Sequence, residues 1–191
     1  MTAAVEISRR LRRLGNRRDA QFLQRFFKTG PGEYGHGDRF LGVRVPAVRR
    51  LLAEFRAAGV EQARALLKSP WHEARLFAVL LLVREYARGD ESQKRAIYAL
   101  YLANTHRINN WDLVDASAGP VVGVFLRNRS RAPLYRLARS RCLWERRIAI
   151  LATFDYIKRG DPTETLRIAR LLLDDEEDLI HKAVGWMLRE T

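Results

Sequence analysis

Apolar side chains recur at three- and four-residue spacing along almost the whole chain, and runs that alternate apolar with polar residues are nearly absent. That period belongs to helices that bury one face. Short breaks of Gly, Pro or Asn punctuate it. Together they predict helices over residues 3–14, 18–29, 46–58, 60–68, 72–88, 91–104, 111–126, 131–140, 144–158, 163–173 and 177–190. Pro46 and Pro162 suit first-turn positions, Asn110 suits an N-cap, and Gly59, Gly89 and Gly160 suit helix C-termini. The fold class expected is all-α.

A repeat underlies these helices. Ala78-Val79-Leu80 followed by Arg88-Gly89-Asp90 returns as Ala149-Ile150-Leu151 followed by Arg159-Gly160-Asp161, both displaced by 71 positions. Small residues fall at Ala78, Ala116, Ala149 and Ala183, with gaps of 38, 33 and 34. Helix pairs of this length stack into solenoids, and a small residue in each layer lets neighbouring helices approach closely. With 191 residues, 47% of them hydrophobic, the chain suffices for one domain and is short for two, so a single repeat domain over 1–191 is expected.

Charge adds a functional clue. Lys and Arg number 35 against 22 Asp and Glu, a formal net charge of +13, which points to a polyanion as partner. The excess is uneven: six arginines crowd positions 9–18, and an acidic run occupies 174–178. Either run by itself reads as solvated surface. No stretch of eighteen apolar residues occurs and the chain opens on Arg-rich helical sequence, so a cytoplasmic protein without a membrane partner is expected.

Several chemistries are disfavoured. A single cysteine, Cys142, excludes an internal disulfide framework. His36, His72, His106 and His181 are scattered with no ligand spacing, so no metal site is expected. Gly30-Pro31-Gly32-Glu33-Tyr34-Gly35 has the form G-x-G-x-x-G, yet a dinucleotide fingerprint must follow a strand and open a helix. Here a helix precedes it, and the segment through Asp38 reads as a structural loop ordering the first helices.

One constellation could carry chemistry. Asn109-Asn110-Trp111-Asp112-Leu113-Val114-Asp115-Ala116 opens a helix with Trp111 in its first turn and Asp115 one turn later on the same side. Trp144-Glu145-Arg146-Arg147 and Ala183-Val184-Gly185-Trp186 place an arginine and a second tryptophan on later helices. Measured from each repeat alanine, Trp111, Asp115, Arg147 and Trp186 fall at about 220°, 260°, 160° and 300°, an arc of roughly 140° away from the alanine stripe. Four suitable side chains from three layers are thus expected on one surface. The competing readings are core aromatics for the two tryptophans, an exposed helix charge for Asp115, and solvated or salt-bridged residues for Arg146 and Arg147. Asp112 is expected to be a first-turn carboxylate favoured by the helix dipole.

These segments, N-N-W-D-L-V-D, W-E-R-R-I-A-I-L and H-K-A-V-G-W-M-L-R-E, together with F-L-G-V-R-V-P-A-V-R-R-L from Phe40 to Leu51, resemble the DNA alkylation repair (AlkD-like) glycosylase family. The resemblance runs through nearly the whole chain in family order. It implies a HEAT-like helical-repeat solenoid with a concave basic face that excises cationic N3- and N7-alkylated purines from duplex DNA, as a monomer and without metal or organic cofactor. By motif match, Asp115, Trp111, Trp186 and Arg147 correspond to the family's catalytic and lesion-contacting residues, with Arg147 expected on a phosphate. Arg44, Arg146 and Lys182 are the candidate backbone contacts; Arg84, Arg88 and the arginines at 9–18 either add to them or are surface charge. The sequence ends five residues after Trp186, where the family pattern continues, so a C-terminal capping repeat is expected to be missing. Asn110 stands where some relatives carry another aromatic, so a different lesion preference is expected. The alternative is a non-catalytic HEAT-like module that binds nucleic acid or protein, since fold does not fix function.

Overall fold

In a computed structural model that describes residues 2–191, the periodic pattern becomes helices α1 (Ala3–Leu14), α2 (Arg17–Phe26), α3 (Val45–Glu54), α4 (Val60–Leu67), α5 (His72–Arg88), α6 (Glu91–Leu102), α7 (Trp111–Ser117), α8 (Val124–Leu126), α9 (Ala132–Ala138), α10 (Leu143–Ala152), α11 (Phe154–Ile157), α12 (Thr163–Leu171) and α13 (Asp178–Arg189). A 3-10 turn spans Thr105–Arg107, and a π-helical turn, Ala118–Gly123, joins α7 to α8. Among the described residues there is no strand, and Arg39 and Trp71 form an isolated parallel bridge. Among the same residues no helix is long and apolar enough to cross a membrane.

Where helices differ from expectation, a local cause is visible. The second stops at Phe26 because the chain turns sharply at Lys28, whose φ is 49°. The third stops at Glu54, and Arg84 gathers carbonyls of its last turn and of the residues that follow, donating to Leu52 O and Phe55 O at 3.2 Å and to Ala58 O at 2.6 Å. Gly59 precedes α4 as its N-cap instead of closing α3. The run expected over 144–158 breaks at Thr153, whose hydroxyl turns back to Ile150 O at 2.7 Å. Within 111–126, Pro120 lacks the N–H that an α-helical bond needs, and the backbone widens into the π turn around it.

The chain forms two compact units. The first comprises residues up to Glu85 plus Arg107–Leu113. There α1 packs on α3 and α4 over Ile7, Leu11, Val48, Leu51 and Leu67, all essentially inaccessible to solvent. Ahead of α3, the Phe40-Leu41-Gly42-Val43 loop is held by the buried Glu73 carboxylate, which accepts the backbone N–H groups of Leu41, Gly42 and Val43 at 2.8–3.1 Å. A buried carboxylate is tolerable only with such donors. Gly42 fits the loop because its φ is +84° and a Cβ there would lie 2.1 Å from Asn16 O.

The second unit comprises Tyr86–His106 and Val114–Thr191. Its centre is α10, which packs against α9, the π turn, α12 and α13. The 71-residue repeat has a structural counterpart in two aspartates whose side chains accept a backbone N–H at the start of the following helix, Asp90 as the N-cap of α6 and Asp161 one residue before the N-cap of α12. Asp90 accepts the Gln93 N–H at 2.8 Å, and Asp161 accepts the Thr163 N–H at 3.0 Å. The alanine stripe holds in part: Ala78, Ala149 and Ala183 are fully buried in their units, whereas Ala116 is half-buried. In its helix Leu113, Val114 and Ser117 turn inward instead, followed by Ala118.

The close approach in this unit occurs at Gly123, where a Cβ would lie 2.1 Å from Ala152 O; at Gly119 the nearest atom would be 3.6 Å away. Gly123→Ala is therefore expected to cost about 1–3 kcal/mol, as overpacking against backbone does, while Gly119→Ala leaves stability nearly unchanged. Thermal unfolding of the two variants checks this, and equal melting temperatures would contradict it.

Candidate functional site

The first turn of α7 is tied down residue by residue. Asn110, fully buried, accepts the Trp111 N–H on its Oδ1 at 2.9 Å and donates from Nδ2 to Asp38 at 3.2 Å. The half-buried Trp111 indole stacks on Phe27, with centroids 5.0 Å apart and planes 15° apart, and meets Phe26 edge-on at 6.0 Å. It forms one wall of an apolar cleft of about 250 Å³ that Phe40, Val43 and Leu76 also line. Because α7 buries Leu113, Val114 and Ser117, the half-buried positions 111, 112, 115 and 116 share its other side.

In the second unit, Arg147 holds Asp115 in a two-pronged ion pair. Nε meets Oδ1 and Nη2 meets Oδ2, each at 2.8 Å, and Nη1 donates to Leu179 O at 2.5 Å. The Arg147 side chain is 6% exposed and that of Asp115 is 20% exposed. Parallel charge-assisted bonds of this kind fix both distance and plane, so one carboxylate is presented to solvent in a set orientation. Arg147 was expected on a phosphate; its contacts make it the anchor of Asp115. Trp186, half-buried, lies 5.7 Å from Phe154 and donates from Nε1 to Glu190 at 3.1 Å.

The arginines and lysine expected to grip a nucleic-acid backbone are placed differently from one another. Arg44 is half-exposed, pairs with Asp19 at 2.6 Å and lies 4.9 Å over the Phe22 ring. Lys182 is exposed and pairs with Asp178 one turn earlier. Arg146 is largely buried: it binds Asp175 through Nε and Nη2 at 2.6 and 3.0 Å and donates from Nη1 to Ser140 O and Arg141 O, which leaves one N–H for any other partner. Arg84 is likewise spent on carbonyls in and just after the last turn of α3.

A further polar cluster lies beside Trp111 and was not anticipated. His72, 1% exposed, has Nδ1 3.0 Å from Asp38 and Nε2 2.8 Å from Asp112. Both partners are carboxylates, which only accept, so both ring nitrogens must carry protons and the ring is an imidazolium. Burial pulls its pKa down, but Asp112 and Asp38 outweigh that and raise it from 6.5 to about 9. Asp38 also receives Arg75, Asn109 and Asn110, and His72 and Arg75 hold its pKa below the usual range against the effect of burial. Asp112 accepts its neighbour Leu113's N–H as a first-turn carboxylate, but its other oxygen closes this cluster. The sequence carried one signal: His72, Glu73 and Arg75 open a helix whose next eight residues are apolar, so charges there have to be buried with partners. Among the described residues no group of three or more His, Cys, Asp or Glu is arranged to hold a metal ion.

The model of one protein family, the DNA alkylation repair enzymes, matches residues 7–191. The chain belongs to that family. DNA alkylation repair enzymes act in DNA repair, and that role extends to this member. A solved structure described as a predicted DNA alkylation repair enzyme from Enterococcus faecalis is 20% identical, with a TM-score of 0.64 over 92% of this chain and 82% of that one. At that identity the likeness speaks for the shared helical fold. No curated protein matches the chain.

In this alkylation repair family member, the His72 cluster makes stability depend on pH in one direction. A histidine whose folded pKa lies above its unfolded value contributes fully below the unfolded pKa, and the contribution is lost as pH rises through the folded one. The window runs from 6.5 to about 9, and the loss is on the order of 3 kcal/mol. Urea unfolding between pH 6 and 9.5 is expected to fall more steeply for the wild type than for His72→Gln, and parallel profiles would contradict the charged-ring assignment.

Proposed function

We propose that the protein is a monofunctional DNA glycosylase that releases cationic N3- or N7-alkylated purines from duplex DNA, with Asp115 as the catalytic carboxylate. The observation that carries this reading is the Asp115–Arg147 pair: a carboxylate one turn from a half-buried tryptophan, held in a fixed plane by a buried guanidinium, in a DNA alkylation repair family member. An alkylated purine already bears positive charge and leaves as a neutral base, so it needs little general-acid help. The difficulty lies at the sugar, whose C1′ becomes oxocarbenium-like, as in glycoside hydrolysis.

Asp115 supplies negative charge where positive charge develops and orients the attacking water. Water oxygen bonds to C1′, the C1′–N bond breaks with its electron pair returning to the purine, and the proton shed by the water passes to Asp115 or to solvent. Arg147 keeps the carboxylate in place through this step instead of binding DNA itself. Trp111, one turn before Asp115 on α7, offers a ring face to the cationic nucleotide, worth about 0.5–2 kcal/mol. Arg44 and Lys182, exposed and weakly paired, contribute to the backbone grip together with the net charge of +13.

Asp115→Asn is expected to lower release of 7-methylguanine from methylated duplex about a hundredfold or more, the scale of losing one preorganised electrostatic contact. Equal release by the variant would remove Asp115 from the mechanism, and no release by wild type, with duplex binding retained, would leave a non-catalytic binding module. Arg44→Ala and Lys182→Ala are each expected to reduce the slope of log affinity against log salt by about 0.9. An unchanged slope would remove that residue from the backbone grip.

A further inference from the structure

We propose that His72 is a positioning residue for Trp111: bonded through both ring nitrogens, it clamps the first turn of α7 to the loop ahead of α3 and so sets the plane of the indole. Three connections reach Trp111 from the imidazole. Through Asp112, His72 holds the residue after Trp111, and the second oxygen of the same carboxylate takes the Leu113 N–H at 2.9 Å. Through Asp38 and Asn110 it holds the residue before, because Asn110 bridges the Asp38 carboxylate and the Trp111 N–H. Through Phe27 it holds the ring itself, since Phe27 lies 5.1 Å from the imidazole and is stacked 5.0 Å from the indole, with Phe40 covering the imidazole at 4.4 Å.

The charges around the ring decide what its proton does. Asp38 and Asp112 are balanced by Arg75 and His72, so the cluster is neutral only while the ring is protonated. The other charged groups nearby are already occupied: Glu73 by three loop N–H groups, Arg44 by Asp19, and Arg39 over the Trp71 ring. Loss of the proton turns a ring lone pair toward a carboxylate and leaves an uncompensated buried negative charge. Asp38 is 3% exposed and bound to Arg75, whereas the Asp112 side chain is 12% exposed. Asp112 is therefore the partner that swings toward water, and its departure frees the first turn of α7. Trp111 then loses its fixed orientation while the units keep their cores.

That this orientation matters for base release rests on the proposed glycosylase function; the clamp itself does not, and its test reads the indole directly. In protein labelled with 5-fluorotryptophan, the Trp111 fluorine resonance, identified by its absence in Trp111→Phe, is expected to move with a midpoint of about 9, tracking the His72 ring, while the Trp144 and Trp186 resonances stay in place. His72→Gln is expected to lose that midpoint, and Asp112→Asn to broaden the Trp111 line at every pH. The wild-type titration needs no variant, so misfolding of either one leaves the test intact. A Trp111 resonance that stays constant while the His72 ring titrates would overturn the proposal, as would a ring titrating near 6.5. If base release proves real, the clamp further predicts a decline in kcat over the same pH interval with KM changed less than twofold; a flat kcat beside a moving Trp111 resonance would separate the clamp from the chemistry.

Discussion

Pairing of charges inside packed helices is the constraint on which the rest of this structure depends. A guanidinium 6% exposed on α10 has no business in a helical core unless a carboxylate meets it, and Asp115 on α7 does so with both oxygens. Removing one partner of such a pair leaves the other buried and uncompensated, at about 3–5 kcal/mol. The same rule governs Glu73, satisfied by three loop N–H groups, and His72, satisfied by two carboxylates. Each pairing fixes a backbone segment as a by-product: Glu73 the Phe40–Val43 loop, His72 the start of α7, and Arg147 the Asp115 carboxylate together with the Leu179 carbonyl.

Much of the arginine excess serves the fold itself. Arg84, Arg129, Arg131 and Arg146 spend donors on backbone carbonyls at or near helix ends, where the last turn leaves acceptors without partners. Arg127 and Arg146 also take two-pronged carboxylate partners within the second unit. A net charge of +13 still favours a polyanion, but the residues able to meet phosphate are the exposed ones, such as Arg44 and Lys182, and not every arginine in the count.

Helix positions were legible in the sequence because apolar spacing is local: helix forms in every expected segment, though several ends move by a few residues and the runs 111–126 and 144–158 are interrupted. Some moved ends trace to local features, such as the turn at Lys28, and another to a tertiary contact that no local pattern encodes, Arg84 gathering carbonyls at the end of α3. Ala116 shows the limit of reading a repeat by offset: the 38, 33, 34 spacing ignores the π turn, and the inward small residues there are Ser117 and Ala118. Of the candidate site, the i and i+4 relation of Trp111 and Asp115 was visible, and so was the salt-bridge alternative for Arg146 and Arg147. That Arg147 would choose Asp115 depended on a contact 32 residues apart. The Asp38–His72–Asp112 cluster joins segments 34 and 40 residues apart, and its members carry no motif.

If orientation of Asp115 by Arg147 is the heart of the chemistry, the two residues act as one unit. The direct measurement is kcat for release of 7-methylguanine by Asp115→Asn, Arg147→Ala and the double variant, compared as a cycle. The double variant is expected to be no slower than Asp115→Asn alone, because the arginine has nothing left to orient. Losses that multiply would contradict it, since they would give Arg147 a separate part in the reaction.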